Sequence, residues 1–267
     1  MCGIFGIIKF DGTVPTETEL KTGNDLAAHR GPDDSGIYQM DAVGLAHRRL
    51  SILDLSVDGH QPMLLADRYA ITYNGEIYNY IEIREELRLL GHSFRSQSDT
   101  EVILAAYAQW GEDCVRRFNG MWAFAIHDRK AGTLFCSRDR FGVKPFHYLQ
   151  TEQQFVFASE IKQLLPFLKN RQPDWLVLDE YLSRGIGEHR PETFFRGIIK
   201  LPASHSMTIH LSYGVISPKR YYKIEINPAL DLLGEDAAIS AVRESLMRSV
   251  ELRLRSDVQV GSCLSGG

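Results

Sequence analysis

Cysteine is scarce in this 267-residue chain: there are four, at positions 2, 114, 136 and 263, with neither a Cys-x-x-Cys pair nor dense even spacing. That pattern excludes a disulfide scaffold and fits reduced thiols, and no metal site is expected. Long apolar runs are also missing. The longest stretch without a charged residue, 201–218, carries two prolines, four serines and two histidines, which a hydrocarbon core would not tolerate, so no membrane span is expected. Positive charge is not in excess. The 30 Lys plus Arg against 34 Asp plus Glu leave a net charge of −4, so no global basic field draws in nucleic acid. The opening Met-Cys-Gly-Ile-Phe-Gly-Ile-Ile has neither a basic leader nor a small-residue cleavage site, does not read as a secretory signal, and makes a cytoplasmic location the expectation. What remains is an ordinary globular composition, 44% apolar, 24% charged and 10% aromatic, long enough for one large domain or one domain plus part of a second.

Short apolar runs bounded by turn residues, Ile4–Lys9, Trp122–His127, Leu134–Ser137, Phe146–Leu149 and Phe155–Ala158, predict strands in hairpins. Ile83, Leu87 and Leu90 fall at helical spacing before Gly91, and Ser98-Asp99-Thr100-Glu101 predicts a capping box opening a second helix that runs to Gly111. Strands adjacent in sequence, mixed with helices, imply antiparallel sheets with helices packed outside them, an α+β arrangement. After about Pro218 the character changes. Ile239, Val242, Leu246 and Val250 mark one helix face, Asp257–Leu264 reads as a short β-like run, and Ser265-Gly266-Gly267 follows. Helix, buried strand and glycine-rich loop is how a doubly wound nucleotide domain opens.

Five segments carry candidate chemistry. If the initiator Met is removed, Cys2 unites a thiol with a free α-amino group of ordinary pKa about 7.7–8.0, a base for its own nucleophile; alternatively it is a small residue starting a strand. Arg30-Gly-Pro-Asp33 and His47-Arg-Arg-Leu-Ser51 each offer an arginine fork suited to an α-carboxylate, or a surface ion pair. Tyr73-Asn-Gly-Glu-Ile77 places an amide NH₂ beside a glycine N–H, two neutral donors of the kind an oxyanion hole needs, or else the Asn-Gly of a hairpin turn. Asp99 either favours a helix N-terminus or presents a carboxylate there to an α-ammonium group.

In this order, these segments resemble the glutaminase domain of class II (N-terminal nucleophile) glutamine amidotransferases, and within them the glutamine-dependent asparagine synthetase family. Met-Cys-Gly-Ile-Phe-Gly, Arg-Gly-Pro-Asp, Arg-Leu-Ser-Ile-Leu-Asp, Asn-Gly-Glu-Ile-Tyr-Asn, Ser-Asp-Thr-Glu-Val-Ile, Asn-Gly-Met-Trp-Ala-Phe-Ala, Arg-Asp-Arg-Phe-Gly-Val-Lys-Pro and Phe-Ala-Ser-Glu-Ile-Lys all look like that family's blocks. The resemblance implies a four-layer α/β/β/α fold over 2–218, a linker over 219–235, and over 236–267 the first helix and strand of an ATP-dependent synthetase domain. It implies Cys2 as nucleophile, Asn74 and Gly75 as the oxyanion hole, and Arg49 as partner of glutamine's α-carboxylate. Glu76 and Asp99 would hold the α-ammonium, while the backbone of Leu50 and Ile52 would line the pocket. Leu264, Ser265, Gly266 and Gly267 would begin a pyrophosphate loop, since glycines let backbone N–H groups approach phosphate oxygens.

The activity this implies is glutamine hydrolysis to glutamate and ammonia, with no cofactor for that half. In the whole enzyme the ammonia would convert an aspartyl-adenylate, made from aspartate, ATP and Mg²⁺, to asparagine. A homodimer is a family expectation. Two alternatives stand beside this: the same glutaminase feeding a sugar or another carboxylate, and a domain that binds glutamine without hydrolysing it.

Overall fold

The computed structural model describes residues 1–187, 189–212, 214–215 and 218–262. Its first part contains β1 (Gly3–Lys9), α1 (Glu17–Asp25), β2 (Asp34–Met40), β3 (Val43–Arg49), β4 (Met63–Leu65) and β5 (Tyr69–Ile77). Next come α2 (Tyr80–Leu89), α3 (Asp99–Trp110), α4 (Cys114–Arg117), β6 (Gly120–Asp128), β7 (Thr133–Arg138), β8 (His147–Gln150) and β9 (Gln154–Ala158). The remainder is α5 (Ile161–Leu164), α6 (Trp175–Arg184), β10 (Ile198–Lys200), β11 (His205–His210), β12 (Gly214–Val215), β13 (Lys219–Arg220) and α7 (Glu235–Arg253). The strands form two antiparallel sheets, ordered β10-β8-β9-β1-β3-β2 and β12-β11-β7-β6-β5-β4, with β13 beside β11.

Alternation along the strands explains the layering, because successive side chains leave opposite faces of a sheet. On β5, Tyr69, Ile71 and Tyr73 join Trp122, Phe124 and Phe135 in a core shared with Ile83 and Leu87 of α2 and Val102, Ile103 and Tyr107 of α3. The opposite face of that sheet is small, with Ala70, Ala123 and Ala125, and packs on Ile4, Ile8, Val43 and Leu45 of the first sheet. Phe5, Ile7, Ala46 and Val156 then meet Leu20 of α1 and Leu164 of α5. Helices, sheet, sheet and helices follow in order, the expected four layers. Small residues between the sheets leave room for polar pins, and two of them set the register of β3 against β5. His47 Nε2–H donates to the Tyr73 carbonyl at 2.9 Å, and Thr72 Oγ1–H donates to the Ala46 carbonyl at 3.0 Å.

Two local expectations are corrected. Ser98 caps α3 by accepting from Thr100 N–H at 3.1 Å, but Glu101 does not complete a capping box. Its carboxylate instead accepts from the Arg95 and Ser96 amides and from Ser96 Oγ–H, because the preceding chain folds back over it. The β-like run does not form a strand over 257–262. With no neighbouring strand among the described residues, its backbone bonds to a loop: Asp257 N–H donates to the Ile52 carbonyl at 3.0 Å, and the Asp257 carboxylate accepts from Asp54 N–H at 2.7 Å. The helix before it is present, yet Ile239, Val242, Leu246 and Val250 are 48–68% exposed. Polar contacts attach its end, with Arg255 donating to both carboxylate oxygens of Glu82 at 2.6 and 2.7 Å and Arg253 lying over the Tyr78 ring. Leu264, Ser265, Gly266 and Gly267 lie outside the described residues.

Candidate active site

The pocket opens where one end of the first sheet faces the second. Cys2 immediately precedes β1, Arg49 ends β3, and Asn74, Gly75 and Glu76 lie near the end of β5. All eight residues expected around glutamine, Cys2, Arg49, Leu50, Ile52, Asn74, Gly75, Glu76 and Asp99, line one pocket. The inter-sheet pins just described fix the separation of its two walls.

Asn74-Gly75 is not a turn. Both residues sit inside β5, paired with Ala123 and Trp122 of β6. A Cβ on Gly75 would overlap the Met121 carbonyl oxygen and crowd the Tyr73 ring, so no other residue allows this strand pairing. Alternation turns the Asn74 side chain inward, where it is 1% exposed and its Nδ2 has no hydrogen-bond partner. A buried amide donor left unsatisfied costs about 1–3 kcal/mol unless a ligand completes it, so its place in the pocket wall marks a position prepared for an acceptor.

The nucleophile's setting is equally specific. Cys2 Sγ lies 3.4 Å from the Leu50 amide, which donates to it, and 3.6 Å from the Leu50 carbonyl, to which the thiol donates. The Cys2 carbonyl accepts from Arg30 Nε–H at 2.8 Å, and Arg30 Nη1 pairs with Glu160 at 2.9 Å. Glu160 is thereby held down near pKa 2 against its burial by hydrogen bonds from Arg30, Lys162 and His29. Arg30 is therefore an anchor for the Cys2 backbone, neither a substrate fork nor a surface ion pair. Burial raises the Cys2 thiol and lowers the adjacent terminal amine, which in this chain belongs to Met1.

Arg49 is buried and donates to the carbonyls of Ser56 at 3.1 Å, Leu53 at 3.3 Å and Asp54. Gly59 makes room for it, since a Cβ there would overlap the guanidinium. The Arg-Gly-Pro-Asp block supports this wall, with Asp33 accepting from Ser51 N–H at 2.8 Å and donating its own amide to the Arg49 carbonyl. Asp99, fully buried, accepts from Tyr73 Oη–H and Ile77 N–H, both at 2.8 Å. Burial raises its carboxyl despite those donors, and Glu76 is raised by burial and then by Asp99. Two acidic groups each disfavoured as anions would gain from a cation brought in by substrate.

Residue-by-residue reasoning missed Tyr73, Gln61 and Lys144, which also line the pocket. Gln61 accepts from Tyr73 N–H at 2.8 Å and donates to Thr100 Oγ1, tying β5 to α3. Lys144 stands in the Arg-Asp-Arg-Phe-Gly-Val-Lys-Pro block, so the signal was present but carried no role. No group of three or more His, Cys, Asp or Glu able to hold a metal occurs among the described residues, and no helix among them is long and apolar enough to cross a membrane.

Residues 1–222 match the family described as glutamine amidotransferase domain. The chain belongs to that family. Residues 241–267 match the asparagine synthase family. Asparagine synthetase [glutamine-hydrolyzing] 1 of Bacillus subtilis is 38% identical over 271 residues, covering all of this chain and 42% of that protein. Amidase chyE of Penicillium rubens is 32% identical over 282 residues, again over the whole chain and 41% of the relative. The amidotransferase chain thus spans about half the length, or less, of the curated relatives it matches. Among solved structures, glutamine phosphoribosylpyrophosphate amidotransferase from B. subtilis superposes with a TM-score of 0.60 at 18% identity, covering 85% of this chain and 50% of that one. This similarity gives the fold, that of the N-terminal nucleophile hydrolases.

Proposed function

We propose that the pocket hydrolyses glutamine to glutamate and ammonia. The observation that carries this is the buried, unpartnered Asn74 Nδ2 in the same pocket as the Cys2 thiol. With Met1 removed, the α-amine of Cys2 takes the thiol proton as sulfur bonds to the side-chain carbonyl carbon of glutamine. The carbonyl oxygen becomes an oxyanion, and Asn74 Nδ2–H with Gly75 N–H receives it. The intermediate collapses to a thioester as the C–N bond breaks, and the amine returns its proton to the nitrogen, which leaves as ammonia. Water then attacks the thioester, and its C–S bond breaks to give glutamate and the thiol. Arg49 takes the α-carboxylate, Glu76 and Asp99 the α-ammonium, while Leu50 and Ile52 close the wall. This half requires no cofactor.

In the longer protein the ammonia would amidate aspartate to asparagine at the expense of ATP, with Mg²⁺ accompanying the nucleotide. The matched asparagine synthase segment and the B. subtilis relative support that acceptor. The proposed division is 2–218 for the glutaminase, 219–235 for the linker and 236–267 for the start of the synthetase domain, with a cytoplasmic location and a homodimer. A second reading keeps the glutaminase and changes the acceptor, favoured by the whole-chain match to an amidase. Screening aspartate against other carboxylates with the full-length protein separates these two. Cys2→Ala tests the glutaminase itself: hydrolysis should vanish while calorimetric glutamine binding persists. Hydrolysis by the alanine variant would end the proposal.

A further inference from the structure

Lys144 is 6% exposed, and its ammonium has no hydrogen bond or ion pair among the described residues. Its backbone is held tightly. Asp139 accepts from the amides of Phe141, Val143 and Lys144 at 2.9–3.0 Å and from Trp122 N–H at 3.2 Å. Arg138 Nε–H donates to the Lys144 carbonyl at 2.8 Å. A side chain anchored this firmly delivers its charge to a fixed place. That place is the wall of the pocket that Cys2 and Glu76 also line.

We propose that Lys144 is a positioning residue of the glutaminase, whose ammonium favours the thiolate form of Cys2. The charge of a mostly buried lysine without a partner is costly, and the anions lining the pocket that could offset it are few. The Lys144 ammonium interacts electrostatically with Glu76, Cys2, Arg30 and Asp139. Asp139 is already engaged by four amides. Glu76, under the glutaminase reading on which this inference rests, turns to the α-ammonium of glutamine when substrate enters. Cys2 is then the anion left to Lys144. The other groups facing the sulfur are the terminal amine, Arg49 and Tyr73. Arg49 is spread over three loop carbonyls, and the amine must be neutral to act as base, so neither supplies the same charge at the moment of attack.

The test is the pH dependence of Cys2 alkylation by iodoacetamide, followed by peptide mass in the full chain lacking Met1. The buried Cys114 and Cys136 serve as internal references. In wild type, Cys2 should react much faster than either. In the neutral variants K144M and K144Q, the thiolate limb should move to higher pH and alkylation at pH 7 should slow about tenfold, the effect of one pKa unit. K144R should restore the wild-type limb. A lysine that merely supported the loop would lower the melting temperature and leave the limb in place. Fast alkylation with the same midpoint in wild type and in whichever neutral variants fold would overturn the role of Lys144 alone. A Cys2 no faster than the two buried references in wild type would overturn the glutaminase reading itself.

Discussion

The two walls of the pocket are built differently. Asn74 and Gly75 belong to a nine-residue strand paired with β6 along its whole length, and both bring neutral donors to the cavity. The opposite wall, from Arg49 to Gly59, is a loop whose carbonyls are gathered around one guanidinium. A donor aimed at a charge that exists only in the transition state has to be fixed in advance, and a strand does this. A cation that recognises a substrate already charged can sit on a more adaptable segment. The strand wall should therefore govern turnover and the loop wall binding.

The largest effect should come from the strand. Asn74→Ala should lower kcat by about 10²–10³ with little change in KM, and Asn74→Asp should be at least as damaging because its carboxylate would repel the oxyanion. Steady-state glutamine kinetics checks both, and near-normal turnover in Asn74→Asp would erase the distinction between the walls. Arg49→Ala should act on the other parameter. Loss of a charge-assisted contact of about 1.5–3 kcal/mol predicts KM raised roughly 10- to 150-fold, with kcat affected less.

His47 pins one wall to the other, and its titration gives a pH test of that join. Burial lowers its folded pKa to about 3 from 6.5. Between those values the unfolded chain binds the proton and the folded chain resists it, so stability is complete above about pH 6.5 and is lost as pH falls toward 3. Burial lowers His127 likewise, to about 4, with the same sign. Melting temperatures from pH 7.5 to 4 should fall more steeply in wild type than in His47→Gln. The smallest effect belongs to Asp257, whose carboxylate holds Asp54 N–H behind Arg49. Asp257→Ala should cost about 0.5–1.5 kcal/mol of local protection, visible as faster hydrogen exchange at the Asp54 amide.

Much of this was legible in the sequence because it depends on local pattern. The strand runs at Ile4–Lys9 and Phe155–Ala158 became β1 and β9, and the helical spacing of Ile83 and Leu87 faces the core in α2. The Asn-Gly ambiguity could not be resolved locally, since an amide followed by glycine suits a turn and a tightly paired strand alike; the nine-residue pairing of β5 with β6 decided it. The capping box over 98–101 was only half right, because Glu101 found three donors in the segment folded back across it. Over 257–262 the β-like pattern had no neighbouring strand to pair with among the described residues. Periodicity likewise marked the apolar face of α7 correctly but could not name what that face touches. Arg30 illustrates the same limit at the site, since its partners, the Cys2 carbonyl and Glu160, lie 28 and 130 residues away.

The central claim is that Cys2, freed of Met1, attacks glutamine with its own amine as the base. The direct measurement is intact mass of the active protein before and during turnover, quenched in acid. The expected result is a mature mass without Met1 and a glutamyl group on Cys2 in the quenched sample. Full glutaminase activity in protein that still carries Met1 would contradict it.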